Sequence, residues 1–232
     1  MLDLSSTQLL LVAAGATLIL YLLPGARLIG RPLILLATLV HELGHGLTAM
    51  LLGGSFMRLQ LWWNASGAAH YQGRFSPASR ALIAAGGPLG PPLVALGLFW
   101  AGGHRDSAHL ALAMLATGCV LVALVFVRNL FGFVFVLILG AALALLAWRA
   151  SDPGAQFACA FLALQMSLSV FSRGDYLFRA EARTSAGVMP SDTAQIAAAI
   201  GLPYWFWGGL IALVSVAVVA CGLWIFAPIV LW

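Results

Sequence analysis

The 232-residue chain is 62% hydrophobic and only 8% charged, with a mean hydropathy of +1.03. Seven acids and eleven bases, all of the latter arginine, are too few to solvate a soluble domain of this length. A net charge of +4 with no basic stripe and no interleaved aromatics excludes a nucleic-acid partner and leaves the lipid bilayer as the expected solvent.

A membrane span needs about 20 mostly apolar residues. The opening MLDLSSTQLL lacks the basic region of a cleaved signal, so the first apolar stretch, Thr7–Leu23, is expected to be a retained helix. Further helices are predicted over Pro32–Leu52, Arg80–Ala101, Ser107–Val127, Leu130–Trp148, Ala155–Phe171 and Pro203–Leu231; a polar kink at Arg128-Asn129 would merge two of them. Between the second and third lies an aromatic-rich insert, Ser55–Arg80. Its partial alternation and Asn64–Gly67 turn predict a β-hairpin. Ser172–Pro203 carries three arginines and three acids and reads as a polar loop, with a short helix capped by Ser191. The three cysteines sit far apart in apolar segments and predict neither disulfides nor a metal site. The expected fold is an all-α polytopic membrane protein of six to seven transmembrane helices. A small membrane-associated β-hairpin follows the second helix, and residues 1–232 form a single domain.

Arginine placement predicts orientation. In a seven-helix chain Arg27, Arg31, Arg105 and Arg149 share one side, and Arg58, Arg74, Arg80, Arg128, Arg173, Arg179 and Arg183 the other. The richer side is expected to be cytoplasmic, in a cell membrane crossed several times.

The second helix carries HELGH, His41 to His45, where only oil is expected. Residues four apart project from one helix face, so His41 and His45 can grip one ion. Neutral imidazole suits zinc, and a catalytic zinc keeps three protein ligands and an open position. Glu42 stands beside the pair as a proton acceptor for an activated water, the arrangement of HExxH metallopeptidases. With five His and two Glu in the chain, shuffling produces the pattern only about 1 time in 1,000, and ionisable groups inside a bilayer mark function by default. The bland reading, a polar cluster bonding neighbouring helices, is the weaker one.

A third ligand is required. Asp106, His104, Asp152 and His109 fall on or near the opposite side of the membrane, and His70 lies on the hairpin. Asp175, just after the sixth helix and on the correct side, is the expected ligand; the competing reading pairs it with Arg173 or Arg179. Asp192 and Glu181 stay open as alternative ligands, although Asp192 is expected rather to support a helix N-terminus. Glu181, between Arg179 and Arg183, reads as a solvated charge.

At HELGHGLTAMLLGG (His41–Gly54) the chain resembles the site-2 proteases, intramembrane zinc metalloproteases, and in particular their compact bacterial members without a PDZ domain. The likeness continues in AAGGPLGPPLVA (Ala84–Ala95), similar to a small-residue helix start, and in SDTAQIAAAIGLPYWFW (Ser191–Trp207). The resemblance implies one Zn2+ on His41 and His45, Glu42 as general base, and an aspartate on a later helix as third ligand. That aspartate usually stands within LDG, whereas RGDYLF around Asp175 lacks the flanking Leu and Gly. Longer members hold an Asn near the aspartate that orients substrate. Asn129 in RNLFG is the corresponding candidate, and it is also placed as a helix-end cap.

The expected activity is therefore zinc-dependent hydrolysis of peptide bonds in membrane-embedded or membrane-anchored proteins, with the site toward the cytoplasmic face. A helix hides its carbonyls in internal bonds, so substrate must be extended. The hairpin edge Leu59–Trp63, with Leu59 and Leu61 as contact residues, is expected to receive it by strand addition. The alternatives are a metal-binding scaffold without activity and a transporter using the cluster as a proton relay. The latter is weakened by the lack of paired interrupted helices.

Overall fold

The computed structural model describes residues 5–22, 26–172, 177–184 and 187–226. Its elements are α1 (Ser6–Leu22), α2 (Ala26–Leu51), β1 (Ser55–Leu61), β2 (Gly67–Gln72), α3 (Pro77–Gly102), α4 (Arg105–Val125) and α5 (Leu130–Arg149). After them come α6 (Asp152–Ser172), β3 (Glu181–Thr184), β4 (Gly187–Pro190), α7 (Asp192–Ile200) and α8 (Tyr204–Phe226). Among the described residues six helices are long and apolar enough to span a bilayer: those over Gly30–Leu51, Pro77–Gly102, Asp106–Val125, Leu130–Arg149, Asp152–Phe171 and Tyr204–Phe226. The protein is an all-α polytopic membrane protein with a small hairpin after its second helix.

The start of α2 differs from the sequence reading. Helix α2 begins at Ala26 and runs through Pro32 rather than starting there. A proline inside a helix forfeits one ladder bond, a loss that neighbouring helices in a membrane bundle accommodate; α3 does the same at Pro88, Pro91 and Pro92. The Arg128-Asn129 step separates two helices, as expected, and the alternative of a kinked merger is not found. The Arg128 guanidinium donates to the carbonyls of Leu124 and Val125, closing the C-terminus of α4 where orphan carbonyls and the helix dipole favour a cation.

Helix α6 lies deepest, with α1, α3 and α4 packed on it. Its buried amides are satisfied across helix contacts: Gln156 Nε2 donates to the Gly102 carbonyl and Gln165 Nε2 to Thr17 Oγ1, both at 3.0 Å. That is what polar groups in a lipid-excluded interior require.

The β1–β2 hairpin folds back along α2 instead of leaving the membrane. Near its base the Phe56 ring occupies the space a side chain on Gly46 would need. Further on, Gly67 lies against Thr38 and Glu42, and Thr38 Oγ1 bonds the Ala65 carbonyl at 3.0 Å. At the tip, the Arg31 guanidinium stands 4.7 Å from the Trp63 ring centre. The contacts retreat from Gly46 to Arg31, within the same α2 span that holds HELGH. At the turn Ala65 adopts φ 64°, and Asn64 Oδ1 accepts from the Ser66 amide at 3.1 Å, an Asx turn.

Candidate metal centre

Three elements surround the HELGH turns of α2. At about 100° per residue, Thr38, Glu42 and Gly46 form the face covered by the hairpin. Val40, Gly44 and Thr48 form the face covered by α3: a Cβ on Gly86 would strike Thr48, one on Gly44 the Gly86 carbonyl, and one on Gly90 the Val40 carbonyl. His41 and His45 fall in the angle between these faces. Into that angle comes Asp192, the first residue of α7.

Helix α7 is held by burying Ile196 with Ala81 and Ala84 of α3. Ser191 does the capping: its hydroxyl accepts from the Ala194 amide at 3.1 Å and donates to the Arg179 carbonyl at 2.6 Å. The cap being filled, the Asp192 carboxylate is free to turn sideways. It is 2% exposed, with Oδ2 3.1 Å from His41 Nε2 and Oδ1 3.3 Å from His45 Nε2; the two ring nitrogens are 3.2 Å apart.

These donors fit a metal. A tetrahedral ion bonded at about 2.0–2.1 Å spreads its ligand atoms about 3.3 Å apart; the two ring nitrogens here are 3.2 Å apart, and each faces one oxygen of the Asp192 carboxylate, at 3.1 and 3.3 Å. His45 Nδ1 lies 2.8 Å from the Ile83 carbonyl and donates to it, so in the neutral ring the Nε2 lone pair faces the other two donors, the tautomer a metal ligand needs. Asp192 Oδ2 is buried with no aligned hydrogen bond, a cost that a cation removes. Burial alone would push the Asp192 carboxyl up; the His45 and His41 imidazoles overcome this and hold it well below the usual carboxylate range. His41, His45 and Asp192 form the one metal-competent group among the described residues.

Glu42 projects toward the hairpin, its Cγ in the space that a Cβ on Gly67 would need. Glycine is required there: any side chain would displace the carboxylate. Since α2 ends at Leu51, His45 and His41 lie about 9 Å and about 15 Å inside that end at 1.5 Å per residue. Both lie within the span-length part of α2, nearer the end shared with the hairpin base and the C-termini of α4 and α6.

The other sequence candidates separate. Asp175, the expected third ligand, lies outside the described residues; the acid brought to the histidines is Asp192, the alternative candidate, expected rather to support a helix start. Glu181 is exposed on β3, paired with Pro190. His109 contacts the Ala147 carbonyl at 2.8 Å and Asp152 at 3.3 Å, at the opposite end of the bundle, where Asp106 and His104 also sit. His70 points off the far face of the hairpin to Gln60, 3.1 Å away; partial burial and the charge of Arg58 push its imidazole down.

The edge at Leu59–Trp63 is not open at its expected contact residues. The Leu59 amide donates to the Phe126 carbonyl at 2.8 Å, and the Arg128 amide donates to the Leu59 carbonyl at 3.0 Å. Asn129 completes the seal: Nδ2 donates to the Leu61 carbonyl at 2.6 Å and Oδ1 accepts from the Leu61 amide at 3.2 Å. The α4–α5 connection thus acts as a third strand beside β1, and the Asn129 amide contacts Leu61. The open edge is on β2. Because Arg58, Gln60 and Trp62 face β2, the outward backbone groups there belong to Gly67, Ala69 and Tyr71, and among the described residues no backbone bond reaches them.

A multi-pass membrane protein with two histidines and a buried aspartate converged beside a glutamate has the framework of a membrane metallopeptidase. The family model described as Peptidase M50B-like matches residues 11–222, and the chain belongs to that family, in agreement with the resemblance carried by HELGH to the site-2 proteases. No curated protein and no solved structure matches the chain.

Proposed function

We propose that the protein is an intramembrane zinc endopeptidase whose ion is held by His41, His45 and Asp192. The observation that carries this is the convergence of His41, His45 and the buried Asp192 carboxylate, with ligand atoms all within 4.8 Å of one another, on the α2 turn that also bears Glu42. A zinc ion there supplies Lewis acidity, polarising a scissile carbonyl and making water nucleophilic near neutral pH. Glu42 takes the proton from the attacking water and returns it to the leaving amine. His45, fixed by the Ile83 carbonyl, keeps its ring aimed. Substrate is a membrane-embedded or membrane-anchored chain, unwound and paired as an added strand on β2 at Gly67, Ala69 and Tyr71. The arginine-rich connections on the metal's side support a cytoplasmic opening.

Glu42→Gln is the test. It is expected to retain metal and lose cleavage of a membrane-anchored reporter. A variant that still cleaves refutes the role of Glu42; a metal-loaded wild type that cleaves no reporter supports the scaffold instead.

A further inference from the structure

Residues on β2 alternate between two faces, and register decides which of them look at the metal centre. Leu59 and Leu61 are fully buried and stand opposite Ala69 and Gly67, so this is the face turned to α2, where Gly67 meets Glu42. A β-bulge between Phe56 and Arg58 shifts the pairing by one residue. Without it Phe56 would alternate to the outer face; with it Phe56 is buried and packs on Gly46. Tyr71 is opposite Phe56 and therefore shares the inner face. It stands level with the α2 turn that carries His45 and Gly46, while its neighbour His70 points away.

Three observations distinguish Tyr71 from an ordinary packing residue. Its ring is half-buried, with only an edge contact to Phe75 at 6.0 Å. Its hydroxyl makes no hydrogen bond to a described residue and is not sealed in the core, so it is left for solvent or substrate. Burial, then the charges of Asp192 and Glu42, push the phenol up. β1 is tied to the α4–α5 connection on its outer side, which leaves β2, whose Gly67 lies against Glu42, as the hairpin strand with a free edge.

We infer that Tyr71 is a catalytic hydrogen-bond donor: its hydroxyl bonds the oxygen of the scissile carbonyl as negative charge collects there. This rests on the peptidase reading above. The phenol keeps its proton throughout; the proton that moves belongs to the attacking water and goes to Glu42. A donor placed where charge develops strengthens in the transition state more than in the bound substrate, and the loss of one such donor costs about 100- to 1,000-fold in rate.

The test compares wild type, Tyr71→Phe and the outward-facing control His70→Gln as zinc-loaded proteins in detergent. The probes are an apolar phosphinic peptide, a tetrahedral anionic mimic of the reacting carbonyl, and the plain peptide of the same sequence. Tyr71→Phe is expected to weaken phosphinate binding by about 100-fold, with peptide affinity, zinc content and melting unchanged, and His70→Gln to match wild type. Equal phosphinate affinity in Tyr71→Phe, equal losses for both peptides, or a wild type that binds the phosphinate no better than the peptide overturns the proposal. In turnover the same variant lowers kcat with KM retained. Failure of the peptidase reading looks different: wild type and Glu42→Gln then release the same fragments, or none, whatever stands at position 71.

Discussion

The His45 imidazole lies directly on Gly87: a Cβ there would stand 2.2 Å from Nε2 and 2.3 Å from Cε1. Gly87 therefore belongs with the candidate metal site, since it leaves the ring room against α3. Gly87→Ala is expected to push the ring off its bond to Ile83 and weaken zinc affinity about 10- to 100-fold. The obstacle is a side chain, so the fold survives. Competition with a chromophoric zinc chelator measures this, and unchanged affinity would remove Gly87 from the site.

Gly44 differs because its obstacle is backbone. A Cβ there would come 2.1 Å from the Gly86 carbonyl oxygen, which cannot rotate away. Gly44→Ala is expected to separate α2 from α3 and destabilise the protein by about 1–3 kcal/mol, read as a lowered melting midpoint in detergent. A midpoint equal to wild type contradicts the close approach.

Asn129 was legible as a polar residue at a helix start, and its two readings from sequence were a cap and a substrate contact. It makes no side-chain cap bond; both ends of its amide are spent on Leu61, 68 positions away. Asn129→Ala is expected to cost about 1–3 kcal/mol locally, seen as faster hydrogen exchange at the Leu61 amide with metal content retained. Exchange at the wild-type rate would mean that the seal is not held by this side chain.

The open edge of β2 gives a direct comparison. The Ala69 amide faces outward, so Ala69→Pro removes a substrate-facing donor while sparing the bonds to β1, as an edge strand permits. Turnover of an anchored reporter is expected to fall at least tenfold, with zinc bound as in wild type. Undiminished turnover would place the substrate elsewhere.

Helix positions and the His41–His45 pair follow from local pattern, hydropathy over about 20 residues and spacing of four, and both are found. The features that escaped are those set by distant partners. Nothing near Leu59 announces that Val127–Asn129 will cover its edge, so the sequence could not say which strand stays open. Asp192 carried a usable signal: Ser191 is already an N-cap, so the next acid is not needed for capping and is free for another task. The lost proline boundary at Pro32 belongs to the same class, because neighbouring helices decide whether a broken ladder bond is tolerated.

The most direct measurement is zinc per protein in wild type, His41→Ala, Asp192→Ala and Asp175→Ala, purified alike and dialysed against limiting zinc. Near one ion in wild type and Asp175→Ala, with loss in His41→Ala and Asp192→Ala, is the predicted result. Zinc retained in Asp192→Ala but lost in Asp175→Ala would contradict it.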